Sequence, residues 1–201
     1  QAVRDTGKIV EATMCYTGDI LDNDRQKYNI KYYKDLAKEL EATGAHILAI
    51  KDMAGILKPQ AAYRLISELK ETVDIPLHLH THDTSGNGII TCSAAVTAGV
   101  DIVDVATAAM SSGTSQPSMS SLYYALENGN RAPELDIDNA SQINHYWEDV
   151  RKFYAPFEKG LTSPQTEVYS HEMPGGQYTN LQSQATAVGL GLRHIAEGEL
   201  Q

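Results

Sequence analysis

Ile75-Pro76-Leu77-His78-Leu79-His80-Thr81-His82-Asp83-Thr84 reads as a β-strand that carries its chemistry at its exit. Side chains alternate faces along a strand, so His80 and His82 project to the same side, about 6–7 Å apart along the backbone. Two imidazoles so placed can converge on one ion. The same pattern also suits core histidines hydrogen-bonded to their neighbours. His78 shares their face one step deeper, where packing is the favoured reading.

Working outward, runs rich in β-branched residues recur at Lys8–Tyr16, His46–Lys51, Ile75–His82 and Asp101–Thr107. Helical patterns separate them at Ile30–Thr43, Pro59–Thr72 and Gly88–Ala98, with Pro59 suited to a first helical turn and Gly44 and Gly99 placed to end helices. This βα rhythm predicts four parallel strands with right-handed crossovers. It fits a small open sheet or one half of an eight-stranded barrel. Polar groups gather at the strand ends, namely Lys51-Asp52, His80, His82-Asp83 and Thr107, and barrel sites sit at that carboxyl end, so the barrel is favoured.

Beyond Met110 the pattern turns helical. Ser115–Leu126, Ser141–Tyr154 and Leu181–Leu192 read as helices, and Pro164–Gly176 reads as a loop broken most strongly at Pro174-Gly175-Gly176. The expected division is therefore a half-barrel over residues 1–112 and a helical extension over 113–201.

The 201 residues suffice for one domain, and the 42% apolar fraction suffices for a buried core. A formal charge of −10 argues against a nucleic-acid partner, which a basic face would serve. The two cysteines, Cys15 and Cys92, lie far apart and outside any metal-type spacing, which suits a reducing compartment. No apolar run is long enough to span a membrane. A cytoplasmic location is expected, or the mitochondrial matrix in a eukaryote.

Two further stretches carry candidate chemistry. In Ala49-Ile50-Lys51-Asp52-Met53-Ala54-Gly55 a lysine closes an apolar strand, on the same face as Ile47 and Ala49. Its stem is expected to run along packed surface, where desolvation favours the neutral amine that reacts with carbon dioxide to give a carbamate with oxygen ligands. An ion pair, with Asp52 or with a carboxylate from the remainder of a longer chain, is the bland alternative. In Glu172-Met173-Pro174-Gly175-Gly176-Gln177-Tyr178-Thr179-Asn180, Thr179 is placed to cap a helix. Gly86-Asn87-Gly88 lacks the companions of a phosphate loop and reads as a turn.

At these places the chain resembles the carboxyltransferase domain of the pyruvate carboxylase family. The resemblance runs through Tyr16-Thr17-Gly18-Asp19, Lys51-Asp52-Met53-Ala54-Gly55, His80-Thr81-His82-Asp83-Thr84-Ser85-Gly86, Ser115-Gln116-Pro117-Ser118-Met119 and Met173-Pro174-Gly175-Gly176-Gln177-Tyr178-Thr179-Asn180-Leu181. It implies the C-terminal half of a TIM (β/α)8 barrel followed by a mostly helical segment. It also implies that Lys51 is carboxylated and binds a divalent metal (Mn, Zn or Mg) with His80 and His82. Thr179 then matches the threonine that shuttles a proton between biotin and pyruvate.

The partners so implied are pyruvate, carboxybiotin on a carrier domain, the remainder of a longer chain that uses ATP at another site, and further copies in a tetramer. The family's remaining metal ligand, an aspartate, and its pyruvate-binding arginine belong to the first half of the barrel, which this chain is expected to lack. Leu192-Arg193-His194-Ile195-Ala196-Glu197 departs from the family pattern. Two other readings stay in view: an oxaloacetate decarboxylase or transcarboxylase subunit with the same metal site, and an inactive structural half-barrel.

Overall fold

A computed structural model of the chain describes residues 2–158, 161 and 163–189. Four strands, β1 (Glu11–Cys15), β2 (Ile47–Asp52), β3 (Leu77–Thr81) and β4 (Ile102–Val103), alternate with helices α1 (Ile30–Ala42), α2 (Pro59–Lys70) and α3 (Gly88–Ala98). All the strands are parallel and pair in sequence order, β1-β2-β3-β4. A doubly wound sheet reverses its strand order and carries helices on both faces. Here the order never reverses and, among the described residues, the helices between the strands cover one face alone, as in a barrel wall.

Alternation shows which face that is. Met14, Leu48, Ile50, Leu77 and Leu79 are buried in one cluster with Tyr33 and Ala37 of α1, Leu65, Ile66 and Leu69 of α2, and Ala95 and Val96 of α3. Residues 61, 62, 65, 66 and 69 of α2 recur at the helical period and are fully buried. Each large side chain so covered contributes roughly 1.5–3 kcal/mol. The other face carries Glu11, Thr13 and Cys15 exposed and His78, His80 and His82 half-buried.

The helix limits follow from local chemistry. The Asn29 side chain accepts the Tyr32 N–H at 3.0 Å to start α1, Pro59 opens α2, and Gly99, at φ 106°, ends α3 in the left-handed region. The β4 ladder is shorter than its sequence run because it is paired on one side only; past Asp104 the chain turns to bridge Ala106 with Ser118 instead.

Four helices follow: α4 (Met119–Leu126), α5 (Ile137–Tyr154), α6 (Val168–His171) and α7 (Gly175–Ala187). Three differ from the sequence reading at their starts. Helix α4 begins after Pro117, where Ser118 caps it by accepting from the Ser121 N–H. Helix α5 begins earlier than Ser141 because Asp136 accepts from the Asn139 N–H at 3.0 Å. The stretch expected to be a loop to Gly176 contains α6 and the first residues of α7. Glycine is tolerated there because Gly175 is packed tightly against Thr114. Of the helix expected over Leu181–Leu192, the part from Leu190 onward and the divergent stretch at Leu192–Glu197 lie outside the described residues. No described helix is long and apolar enough to cross a membrane.

Cys92 sits wholly within the α3 packing surface, and burial pushes its thiol up to about 12, with nearby Asp83 adding to the shift. In the intact protein at pH 8, Cys92 is expected to stay unlabelled by a thiol reagent until denaturant is added, as read by peptide mass mapping. Labelling at the rate of a free thiol would show that α3 is not packed as described.

Candidate metal centre

The β2–β3 register sets Lys51 directly beside His80, and Asp52 beside Thr81. Their directions differ. Asp52 points into the helix-covered layer and is fully buried, accepting from Ile56 N–H at 2.9 Å, Leu57 N–H at 3.0 Å and the Thr81 hydroxyl at 2.7 Å. Burial raises its carboxyl above the ordinary range against the pull of those bonds. It shapes the turn after β2 and does not pair with Lys51. Lys51 lies on the opposite face and is exposed, not laid along packed surface as its neighbours Ile47 and Ala49 suggest. The physical reason is that the helices cover the other face of the sheet.

The two histidines at the β3 exit do converge. Their Nε2 atoms are 3.3 Å apart, with the rings nearly perpendicular at 80°. Each ring is held by its far nitrogen: His80 Nδ1 lies 2.7 Å from Asp104 Oδ2, and His82 Nδ1 lies 2.6 Å from the Thr114 carbonyl oxygen. Two nitrogen–metal bonds of about 2.0–2.1 Å opening near the tetrahedral angle separate their nitrogens by roughly 3.3–3.4 Å. The pair therefore fits a shared ion. Among the described residues no three His, Cys, Asp or Glu side chains form a ready cage, so an ion on this pair would need donors of another kind, such as Lys51, or groups outside the described residues.

Below the pair, His78 is not a packing residue. Its Nδ1 lies 2.8 Å from Glu11 Oε2, and its Nε2 lies 2.9 Å from Asp104 Oδ1, near enough for an ion pair but off the line of a good hydrogen bond. Burial disfavours a charged His78, yet the two carboxylates outweigh it and the net shift is upward. Burial likewise opposes ionised Asp104, while its contacts with His80 and His78 hold its carboxyl below the ordinary range. Sequence reasoning passed over Asp104 and Glu11, since neither forms a motif with the histidines. The one available signal was a carboxylate in the middle of the strand run Asp101–Thr107.

Two glycines bring distant loops to this site. Gly55 has φ 70°, and a Cβ there would stand 2.6 Å from the His82 carbonyl oxygen, so the turn after β2 lies against the backbone that carries His82. A Cβ on Gly175 would stand 2.7 Å from Thr114 Cγ2 and 3.5 Å from Thr84 Oγ1. Helix α7 thus starts against the residue whose carbonyl holds His82. Thr179 lies inside that helix, its hydroxyl donating to Gly176 O at 3.1 Å; Pro174 occupies the cap position, so Thr179 is not the cap. No described contact joins Thr179 to Lys51, His80 or His82.

The segment leading into α7 is clamped over the strand exits. The Tyr169 hydroxyl donates to Ser85 Oγ and accepts from Asn87 Nδ2, both at 2.9 Å. Lys58 pairs with Asp19 at 2.6 Å and lies over the Tyr169 ring, and Arg25 pairs with Glu172. The turn read from sequence closes at Gly86, whose N–H donates to the Asp83 carbonyl at 3.1 Å, and Asn87 and Gly88 lead into α3, where Asp83 Oδ1 accepts the Gly88 N–H at 2.9 Å. An apolar groove between α3, β4 and α4 shares no lining residue with the histidine pair.

Comparison with known proteins agrees with this arrangement. The family model described as HMGL-like matches residues 5–146. The chain belongs to the HMGL-like family. A second model, described as a conserved carboxylase domain, matches residues 168–195. The chain is 64% identical over 192 residues to pyruvate carboxylase of Bacillus subtilis, covering 96% of this chain and 17% of that protein. It is 59% identical over 194 residues to pyruvate carboxylase of Staphylococcus aureus, again covering 96% and 17%. It spans about a sixth of the length of these relatives.

Among solved structures, the carboxyl transferase domain of Rhizobium etli pyruvate carboxylase with pyruvate superposes with a TM-score of 0.91 at 54% identity, over 94% of this chain and 32% of that one. The complete multifunctional pyruvate carboxylase of Rhizobium etli gives a TM-score of 0.93 at 54% identity, over 96% and 18%. The half-barrel reading and the carboxyltransferase resemblance are both borne out.

In the full-length protein that carries this chain, Gly55→Ala is expected to lower stability by about 1–3 kcal/mol, from the left-handed backbone and the contact with the His82 carbonyl. Urea unfolding measures it. An unchanged midpoint would show that the turn does not press on His82.

Proposed function

We propose that this chain supplies the metal-binding and proton-relay groups for carboxyl transfer from carboxybiotin to pyruvate, giving oxaloacetate. The observation that carries the reading is the His80–His82 pair, held by its Nδ1 atoms with both Nε2 atoms facing one point at the mouth of a half-barrel. The bound pyruvate named for the Rhizobium etli domain supports the substrate. A structure of the same domain with pyruvate and biocytin, 54% identical to this chain, supports the carboxyl carrier.

In this reading His80 and His82 would hold a divalent cation (Mn, Zn or Mg) as neutral imidazoles, and Lys51, beside His80 in the sheet, would join them as a carbamate formed when its neutral amine adds to carbon dioxide and gives up a proton to water. When bound there, such a cation would supply positive charge that stabilises the negative charge developing on pyruvate. The chain's own part is to hold, orient and move a proton. The bond from carboxyl carbon to biotin nitrogen breaks, a carbon–carbon bond forms at the pyruvate methyl carbon, and the proton lost from that methyl passes through the Thr179 hydroxyl to the biotin nitrogen. Residues 1–112 furnish the half-barrel and 113–201 the helical extension, a division supported by all four strands preceding Met110. The remaining barrel strands, the biotin carrier and the ATP-using site belong to a longer chain that works as a tetramer in the cytoplasm or the mitochondrial matrix.

Lys51→Ala and His80→Ala in the full-length protein are each expected to lower metal content and carboxyl transfer together, by elemental analysis and oxaloacetate assay. Unchanged metal in both variants would sink the ligand assignment. Thr179→Ala should keep the metal and lose pyruvate carboxylation, and near-normal turnover would remove Thr179 from the relay.

A further inference from the structure

We propose that Asp104 is a positioning residue that fixes the His80 ring in the tautomer and direction needed to present Nε2 to the metal; the inference rests on the metal reading given above. An ionised carboxylate is an acceptor only, so the nitrogen 2.7 Å from Asp104 Oδ2 is the protonated one, and the Nε2 of a neutral His80 is left with a bare lone pair. The Thr114 carbonyl, which also only accepts, imposes the same tautomer on His82. Two bare lone pairs facing each other at 3.3 Å repel unless a positive charge lies between them. The sheet thus holds the rings in an arrangement that a cation relieves. Carboxylate and carbonyl partners on the far nitrogen are the usual support of metal-binding histidines.

Asp104 is itself fixed. Its N–H donates to the Leu79 carbonyl at 3.0 Å, which ties its backbone to the histidine strand. Its second oxygen lies 2.9 Å from His78 Nε2, and His78 reaches Glu11 at 2.8 Å, so the carboxylate is braced from below. The Asp104 side chain is nevertheless 40% exposed. A contact so open to solvent adds little to folding, and its effect should appear at the metal instead of in overall stability.

The test uses the full-length protein, stripped of metal by a chelator and titrated with Mn²⁺, with free ion counted by electron paramagnetic resonance. The tight sites that disappear in His80→Ala define the class to be followed. Asp104→Ala is expected to weaken them about 10- to 100-fold. Asp104→Asn, whose amide oxygen still accepts from Nδ1–H, should recover most of that loss, and the urea midpoint of the metal-free protein should not move in either variant. Wild-type Mn²⁺ affinity in Asp104→Ala, with His80→Ala defective, overturns the role of Asp104 and leaves the metal reading standing. Undiminished Mn²⁺ binding in His80→Ala overturns the metal reading and this inference with it. Equal losses in the Ala and Asn variants together with a lowered metal-free midpoint would make Asp104 a folding residue and also overturn the proposal.

Discussion

The alternation of β3 is the constraint on which the molecule depends. Leu77, Leu79 and Thr81 go into the helix-covered layer, and His78, His80 and His82 go to the opposite face. A slip of one residue would exchange the two sets, placing three imidazoles in an apolar layer and two leucines on the polar face. The cost of either exchange pins the register. Because β2 is paired to β3 in that register, Lys51 is carried to the side of His80 and Asp52 to the side of Thr81. Core and site are thus two faces of one alternation.

The neighbouring carboxylates illustrate what this separation does. Asp52 and Asp104 each stand at the end of a strand, but Asp52 is enclosed and satisfied by two backbone N–H groups and a hydroxyl. It organises a turn. Asp104 stands on the open face among imidazoles and is kept ionised by them. The same residue type serves folding on one face and the site on the other, with burial and partners making the difference.

The helical segment after the sheet reaches the site through backbone contacts. Helix α7 begins against Thr114 because Gly175 carries no side chain, and Thr114 offers its carbonyl to His82. The strap before it is tied down by Tyr169, Lys58 and Arg25 to three different strand exits. A region that reads as a punctuated loop is therefore held in place by partners far away in sequence.

The sequence by itself determined the βα rhythm, the helix starts at Ile30, Pro59 and Gly88, and the shared face of His80 and His82, because each of these is set by residues within a few positions of one another. It misjudged the surroundings of Lys51 and of His78, and the start of α7, because local periodicity does not say which face another layer will cover. Only the tertiary structure decided that Asp104 and the Thr114 carbonyl hold the two rings, and that Gly55 lies against the His82 backbone. Those pairs are 24, 32 and 27 positions apart, and strand pairing brings them together.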